Sequence, residues 1–186
     1  MPVASVSPDV TSQAVTVVAG LSIPSTSPLF LGLVALHVLA GIVCVVAGAV
    51  AMLSPKAPGR HPAAGAVYFW GLAAVFALAS ALSAMRWTED ADLFVLGALA
   101  FASAVLGRTA RRRRRRGWPR WHIAGMGTSY VLLLTPFYVD NGKSLLIWRA
   151  LPPIAYWLLP ATIGLPLIVH ALLRHPVVRQ EGERSI

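Results

Sequence analysis

The chain has 186 residues, of which 56% are hydrophobic and 12% are charged, and its mean hydropathy is +0.67. Soluble domains carry about 25% charged residues, so this composition disfavours an ordinary soluble enzyme and excludes disorder over most of the length. The single cysteine, Cys44, excludes an internal disulfide framework and any CxxC site. The length fits one compact domain.

Five apolar segments approach the roughly 20 residues that a helix needs to cross a bilayer. They lack the polar face of an amphipathic helix in a soluble bundle. The third is the shortest and reaches spanning length only when residues 92–110 are counted. In chain order the segments are Leu29–Leu53, Ala63–Met85, Leu93–Leu106, Trp121–Val139 and Ile154–Leu173. The sequence therefore predicts an all-α fold, a polytopic transmembrane helical bundle with five spans.

The two ends of the chain differ in composition from this transmembrane domain, which covers residues 29–173. Residues 1–28 are rich in Ser, Thr, Val and Pro, and they lack the basic stretch of a secretory signal. We expect them to form a flexible extracytoplasmic tail. Residues 174–186 are more polar and are expected to form a cytoplasmic C-terminal tail.

Lysine and arginine are distributed unevenly between the connecting segments. If the N-terminus is outside, 13 of the 16 lie on the inner side, and only Arg86, Lys143 and Arg149 lie on the outer side. Because Lys and Arg in short loops favour the cytoplasmic side, the sequence predicts an N-out/C-in orientation. We expect this membrane to be the cytoplasmic (inner) membrane of a bacterium.

A run of six arginines lies between the third and fourth spans. Such a run is typical of a nucleic-acid patch, but between two spans it is explained more simply as a topology anchor that binds anionic lipid headgroups. The expected headgroup contacts are Arg111, Arg112, Arg113, Arg114, Arg115 and Arg116. We expect no nucleic-acid partner, and assembly with the same or another chain stays open.

Histidines are the titratable residues with the most chemical potential. His37 lies in the outer half of the first span, where it either makes an interhelical hydrogen bond or takes part in chemistry. Four other histidines lie near the inner face: His61, His122, His170 and His175. Imidazole ligates haem iron and several transition metals, so we predict a haem or metal site with His61, His122 and His170 as ligands. His37 is a candidate member of a second site.

Two segments share a pattern that starts at the inner face and continues outward. "RHPAAGAVYFW" and "RWHIAGMGTSYV" each place a basic residue, a His, a small residue one turn later and a Tyr two turns later. The pattern suggests a parallel repeat, with helices two–three related to helices four–five. The tyrosines in question are Tyr68 and Tyr130.

Other types of site are absent from the sequence: it has no phosphate-binding glycine loop, no GxSxG elbow and no acid within a span. A hydrolase or transferase of a known type is therefore not indicated, and a redox role stays open. Three functions remain: an electron-transfer module with a His-ligated haem or metal, a cofactor-free transporter or lipid-binding module, and a structural subunit of a membrane complex. In the transporter, His37 and the proline-interrupted fifth helix would line the path.

The region 29–173 resembles the bacterial membrane-protein family known as domain of unknown function 2306. The resemblance depends on His37, on "GRHPAAGAVY" with His61, and on "HIAGMGTSY" with His122. Family members usually have a second basic residue after each of the last two histidines, whereas this chain has Pro62 and Ile123. The resemblance implies a multi-helix membrane protein with shared histidine positions, and it implies no established reaction.

Overall fold

The computed structural model describes residues 16–18, 21–23, 27–145 and 149–174. Each predicted span lies inside one α-helix, so the all-α helical bundle is confirmed. The helices extend a few residues beyond the apolar segments, because polar residues at a membrane interface can continue a helix. They are α1 (Pro28–Leu53), α2 (Arg60–Met85), α3 (Trp87–Arg113), α4 (Trp118–Asn141) and α5 (Pro153–Arg174), with a 3-10 turn at Gly142–Ser144.

A short hairpin precedes the helices, in the region expected to be a flexible tail. Strands β1 (Thr16–Val18) and β2 (Leu21–Ile23) pair antiparallel, with Val18 opposite Leu21. Their β-branched residues favour extended backbone. The remaining predictions for residues 1–15 and for residues 175–186, His175 included, lie outside the described residues.

Four of the five helices are long and apolar enough to cross a membrane: α1, α2, α3 and α5. Helix α4 is of similar length but is interrupted by more polar residues. Large apolar side chains on the surface fit the same picture, since Leu53 is 87% and Leu173 is 74% exposed. The chain therefore has the helix lengths and the surface of a membrane protein, while five spans and N-out orientation remain predictions.

Helices α1 and α2 pack antiparallel in a regular register. The backbone of Ala51 meets His61, Cys44 meets the backbone of Tyr68, and His37 meets the backbone of Val75. Successive pairs are seven residues apart on both helices. Seven residues are two turns, so the same face of each helix returns to the contact and one line of polar contacts follows the whole interface.

Helices α3 and α4 form a closer pair. A Cβ added to Gly125 would lie 2.7 Å from the Ser103 carbonyl oxygen and 2.7 Å from the Gly107 nitrogen. Only glycine permits this contact between two backbones, for which reason small residues are common where membrane helices meet. Helix α5 packs on the outside of α4, where the side chain of Ile168 contacts Gly127.

The bundle core lies where α1, α2, α3 and α4 meet. Its buried side chains mix one thiol, aromatic rings and small residues. The fully buried members include Cys44, Leu72 and Ala104. Between α2 and α3, Phe76 stacks on Phe101 with ring centroids 5.6 Å apart. This core joins the two helix pairs and holds the starts of α2 and α4 next to each other.

Candidate functional site

Two of the predicted ligands come together at the start of α2 and α4. His61 and His122 have ring centroids 6.4 Å apart, with the ring planes at 88°. They are 61 residues apart in sequence, so only the packing of the two helix pairs brings them together. We call this end of the bundle, which holds both histidines and the arginine run, the basic end.

Each of these histidines is oriented by a backbone carbonyl of the preceding helix. The distance from His61 Nδ1 to the carbonyl oxygen of Ala51 is 2.8 Å, and from His122 Nδ1 to that of Gly107 it is 3.0 Å. A carbonyl only accepts, so Nδ1 carries the proton in both rings. In the neutral imidazole, Nε2 then holds the lone pair, which is the arrangement that orients histidine ligands in metal sites.

The segment before His61 is stabilised by a lysine. Lys56 Nζ donates to the carbonyl oxygens of Ala51, Met52 and Ser54, at 3.1, 2.6 and 3.0 Å. These are carbonyls at the C-terminal end of α1, where a cation also interacts favourably with the helix dipole. Partial burial lowers the pKa of Lys56. The lysine therefore holds the same carbonyl that orients His61.

The segment before His122 is shaped by its backbone conformation, as is the start of α2, where Gly59 has φ 114°. Arg114 has φ 44° and Gly117 has φ 76°, and these two left-handed residues end α3 and begin α4. Glycine adopts this conformation without cost, whereas arginine does not. Two helix pairs thus place equivalent histidines by different local means.

The basic end carries positive charge around both rings. Within the described ranges its charged side chains are all lysine or arginine, and the one ion pair joins Arg86 and Glu89 at the opposite end. The ring of Trp118 lies 6.4 Å from that of His122. The Arg108 guanidinium lies 4.4 Å from the centre of the Phe69 ring. This environment suits an anion or an anionic cofactor rather than an isolated exposed cation.

The other two predicted ligands lie elsewhere. His170 is exposed on α5. His37 faces the backbone of Val75 on α2, and its buried Nδ1 has no hydrogen-bond partner among the residues that the structure describes. His37 is 14 residues from Ala51, which is about 21 Å along α1 at 1.5 Å per residue. In the same described part of the chain, no three His, Cys, Asp or Glu side chains form a group that could hold a metal ion.

A buried hydrogen-bond network lies two turns further into the bundle. Ser129 donates to the Met126 carbonyl at 2.7 Å, so the hydroxyl of Tyr68 is the donor in its 2.8 Å bond to Ser129. Tyr130 donates to the Val45 carbonyl at 3.1 Å, and Cys44 donates to the Tyr68 carbonyl at 3.4 Å. The sequence indicated both tyrosines as members of a repeat, but spacing alone could not show that they meet.

The glycines of the histidine-bearing faces have different roles. A Cβ on Gly48 would lie 2.5 Å from the Tyr130 ring and 2.9 Å from the Tyr68 ring, so this glycine makes room for the two tyrosines. Gly41 and Gly65 have nothing within 4 Å of such a Cβ. Of these three glycines, Gly48 alone lies in a close contact between helices.

Acidic side chains gather at the end of the bundle opposite the histidines. Asp140 follows the fourth predicted span, and its pKa is raised to about 6. The main cause is desolvation by neighbouring atoms, followed by the nearby charges of Asp90 and Asp92, while Arg86 acts in the opposite direction. The two ends thus carry opposite charge.

No family model, curated protein or solved structure matches the chain.

Proposed function

We propose that the chain is a membrane protein that holds a transition-metal centre between His61 and His122 and works in electron transfer. The observation that carries the proposal is the convergence of two imidazoles from separate helix pairs, each with its Nδ1 bonded to a backbone carbonyl. Carbonyl partners of this kind fix the tautomer and the ring orientation of histidine ligands.

The spacing of the rings would let both imidazoles bind one metal. A metal–imidazole bond is about 2.0 Å, so two such ligands have ring centroids at most roughly 6 Å apart. The observed separation of the His61 and His122 centroids is 6.4 Å.

The number of ligands narrows the class of metal centre. Structural zinc takes four protein ligands, and the described residues form no group of even three. Haem iron takes two protein ligands, because the haem ring supplies the others itself. Two-coordinate copper(I) also takes two protein ligands. Arg60, the residue before His61, adds positive charge that would attract haem carboxylates. In either case the protein supplies two oriented Nε2 atoms.

The test is the metal and haem content of the full chain purified from membranes. We expect about one metal atom per chain. If that metal is haem iron, the protein should also show the absorption band of haem. His61→Ala and His122→Ala should each lose most of it, because one imidazole alone cannot complete the pair. His170→Ala is the matched control, since it removes an exposed histidine from another helix.

Two results would contradict the proposal. One is a colourless wild-type protein without stoichiometric metal. The other is equal loss of metal in His170→Ala and in His61→Ala. The melting temperature of every variant separates ligand loss from unfolding. His61→Gly with added imidazole gives a second check, because free imidazole should restore metal binding if only the ligand is missing.

The proposed topology has five spans with the N-terminus outside, in the cytoplasmic membrane of a bacterium. It is supported by the separation of charge between the two ends and by the length of α4. Reporter fusions after Ala110 and after Val139 test it. A fusion at Ala110 that reports outside contradicts the orientation, and one at Val139 that reports inside removes a span.

The arginine run is proposed to contact anionic headgroups, with the six side chains named above exposed or half-exposed beside the ends of α3 and α4. The membership in domain of unknown function 2306 likewise stays a prediction.

The transporter function is not proposed, because no observation favours it. A path between His37 and α5 is not indicated, since His37 faces α2, whereas α5 makes its main contacts with α4.

A further inference from the structure

We propose that the groove between the start of α4 and the end of α5 binds one anionic diacyl phospholipid. The groove has a volume of about 520 Å³. Its lining residues are Gly117, Arg120, Trp121, Ala124, Leu172 and Leu173. This site differs from the histidine pair and from the arginine run, and it does not depend on the proposed metal.

The lining has the two-part chemistry of a lipid. Arg120 supplies a cation, and Ala124, Leu172 and Leu173 supply an apolar surface for an acyl chain. Trp121 belongs to the same lining and is 67% exposed, as expected of an indole at the level of the headgroups. Arg120 has no ion pair within the described ranges, so its charge is available to a phosphate.

The surrounding charge selects an anionic lipid over a zwitterionic one. Every charged side chain described at this end is basic, including Arg116 before the groove and Arg174 after it. Basic pockets between membrane helices hold anionic headgroups. A second copy of this chain would bring the same positive charge and would be repelled, so the occupant is a lipid rather than a like subunit.

The experiment is native mass spectrometry of the full chain in detergent with an equimolar mixture of phosphatidylglycerol and phosphatidylcholine of matched chains. We expect one retained phosphatidylglycerol per chain, in clear excess over phosphatidylcholine. Arg120→Gln should lower this retention about five-fold, the effect of about 1 kcal/mol for one basic residue. Ala124→Phe should lower retention of both lipids by filling the groove.

Arg108→Gln is the matched control, because it removes the same charge from the same end, outside both the groove and the arginine run. Its retention of phosphatidylglycerol should stay close to wild type. The proposal is overturned if Arg108→Gln and Arg120→Gln lose the lipid equally, if the two lipids bind equally, or if a lipid-free dimer covers the groove. Melting temperatures in detergent show whether each variant is folded, and Ala124→Phe gives an independent answer if Arg120→Gln does not fold.

Discussion

The two helix pairs α1–α2 and α3–α4 follow one plan. In each pair the second helix begins with a histidine whose Nδ1 donates to a carbonyl of the first helix, Ala51 in one pair and Gly107 in the other. Two turns later each second helix presents a tyrosine to the core. These contacts relate α1–α2 to α3–α4, while the parallel repeat of helices two–three and four–five stays a prediction.

The pairs differ in what holds their helices together. Helices α1 and α2 meet through side-chain contacts at seven-residue intervals, among them Cys44 with Tyr68. Helices α3 and α4 meet backbone to backbone at Gly107 and Gly125. Side chains can adjust to a change, whereas two backbones in contact cannot. The same plan thus tolerates different substitutions in its two halves.

The largest expected effect comes from adding one methyl group to the α3–α4 contact. Gly125→Ala would place a Cβ 2.7 Å from the backbone of α3, so the helices must separate. We expect a loss of about 2–3 kcal/mol, at the upper end of the cost of overpacking. The free energy of unfolding in detergent, or the melting temperature, measures it. His122 should lose its contact with Gly107 in the same variant.

The matched substitution in the other pair is Gly65→Ala. Gly65 lies one turn after His61, as Gly125 lies one turn after His122, but it has nothing within 4 Å of an added Cβ. Stability should be unchanged or should rise by up to about 1 kcal/mol, because alanine favours helix. If the two variants lost stability equally, the distinction between the pairs would be wrong.

The second effect concerns the two tyrosines. Tyr68→Phe removes the donor to Ser129 from a side chain that is 2% exposed, and we expect a cost of about 1 kcal/mol. Tyr130→Phe should cost less, because Tyr130 is only half-buried and Val45 keeps its helical hydrogen bond. Thermal unfolding of both variants compares them. A larger loss in Tyr130→Phe would contradict this ranking.

Much of the helical architecture could be predicted from the sequence. Apolar runs without a polar face showed all five helices, because in lipid each must satisfy its own backbone hydrogen bonds. The short strands Thr16–Val18 and Leu21–Ile23 were missed, since three residues are too few to show alternation. Span number and orientation are still predictions, since they depend on a bilayer.

The site was less predictable than the helices. His61 and His122 were both named, but the sequence could not separate them from His170, because counting residues along the predicted spans places all three near the inner face. Depth along a helix follows from counting residues, whereas the direction of a side chain depends on the register between helices. The contact of Gly125 with Gly107 sets the register between α3 and α4. The sequence alone does not distinguish a glycine at such a contact from other glycines in an apolar helix.

The third expected effect is a pH dependence of stability. It arises at the end of the bundle opposite the histidines, where α4 carries Asp140 and α2 ends in Met85. The pKa of Asp140 is about 6 in the folded protein and ordinarily 3.8, so the folded state keeps a proton that the unfolded chain releases. Stability should therefore fall as the pH rises from about 4 to about 6, and then stay level. Because the Asp140 side chain is exposed to water, we expect this loss of stability to be limited to about 1 kcal/mol.

Asp140→Asn removes this titration. The variant should be more stable than wild type at pH 7.5, and the difference should become small at pH 3, where Asp140 of the wild type is protonated in both the folded and the unfolded state. Melting temperatures at the two pH values measure it. Lys143→Gln, which changes a nearby charge without a carboxyl, is the control and should keep the wild-type pH dependence. An unchanged pH profile in Asp140→Asn would show that another group is responsible.

The smallest effect concerns the loops that join the helices of each pair. The loop of α3–α4 holds Arg114 in the left-handed conformation, at φ 44°, whereas in the loop of α1–α2 the residue with positive φ is a glycine, Gly59. A side chain in this conformation costs about 1 kcal/mol, so Arg114→Gly should relieve it. The variant also loses the guanidinium that lies 5.8 Å from the Trp118 ring, worth about 0.5 kcal/mol at an exposed site. We expect a net gain in stability of about 0.5 kcal/mol.

Arg113→Gly is the matched control, because it removes the same charge from the last helical residue of α3 and should cost about 0.5–1 kcal/mol. Thermal unfolding should therefore move in opposite directions for two neighbouring arginines, and a loss in both would mean that their charge, rather than the backbone conformation, determines the stability of this loop.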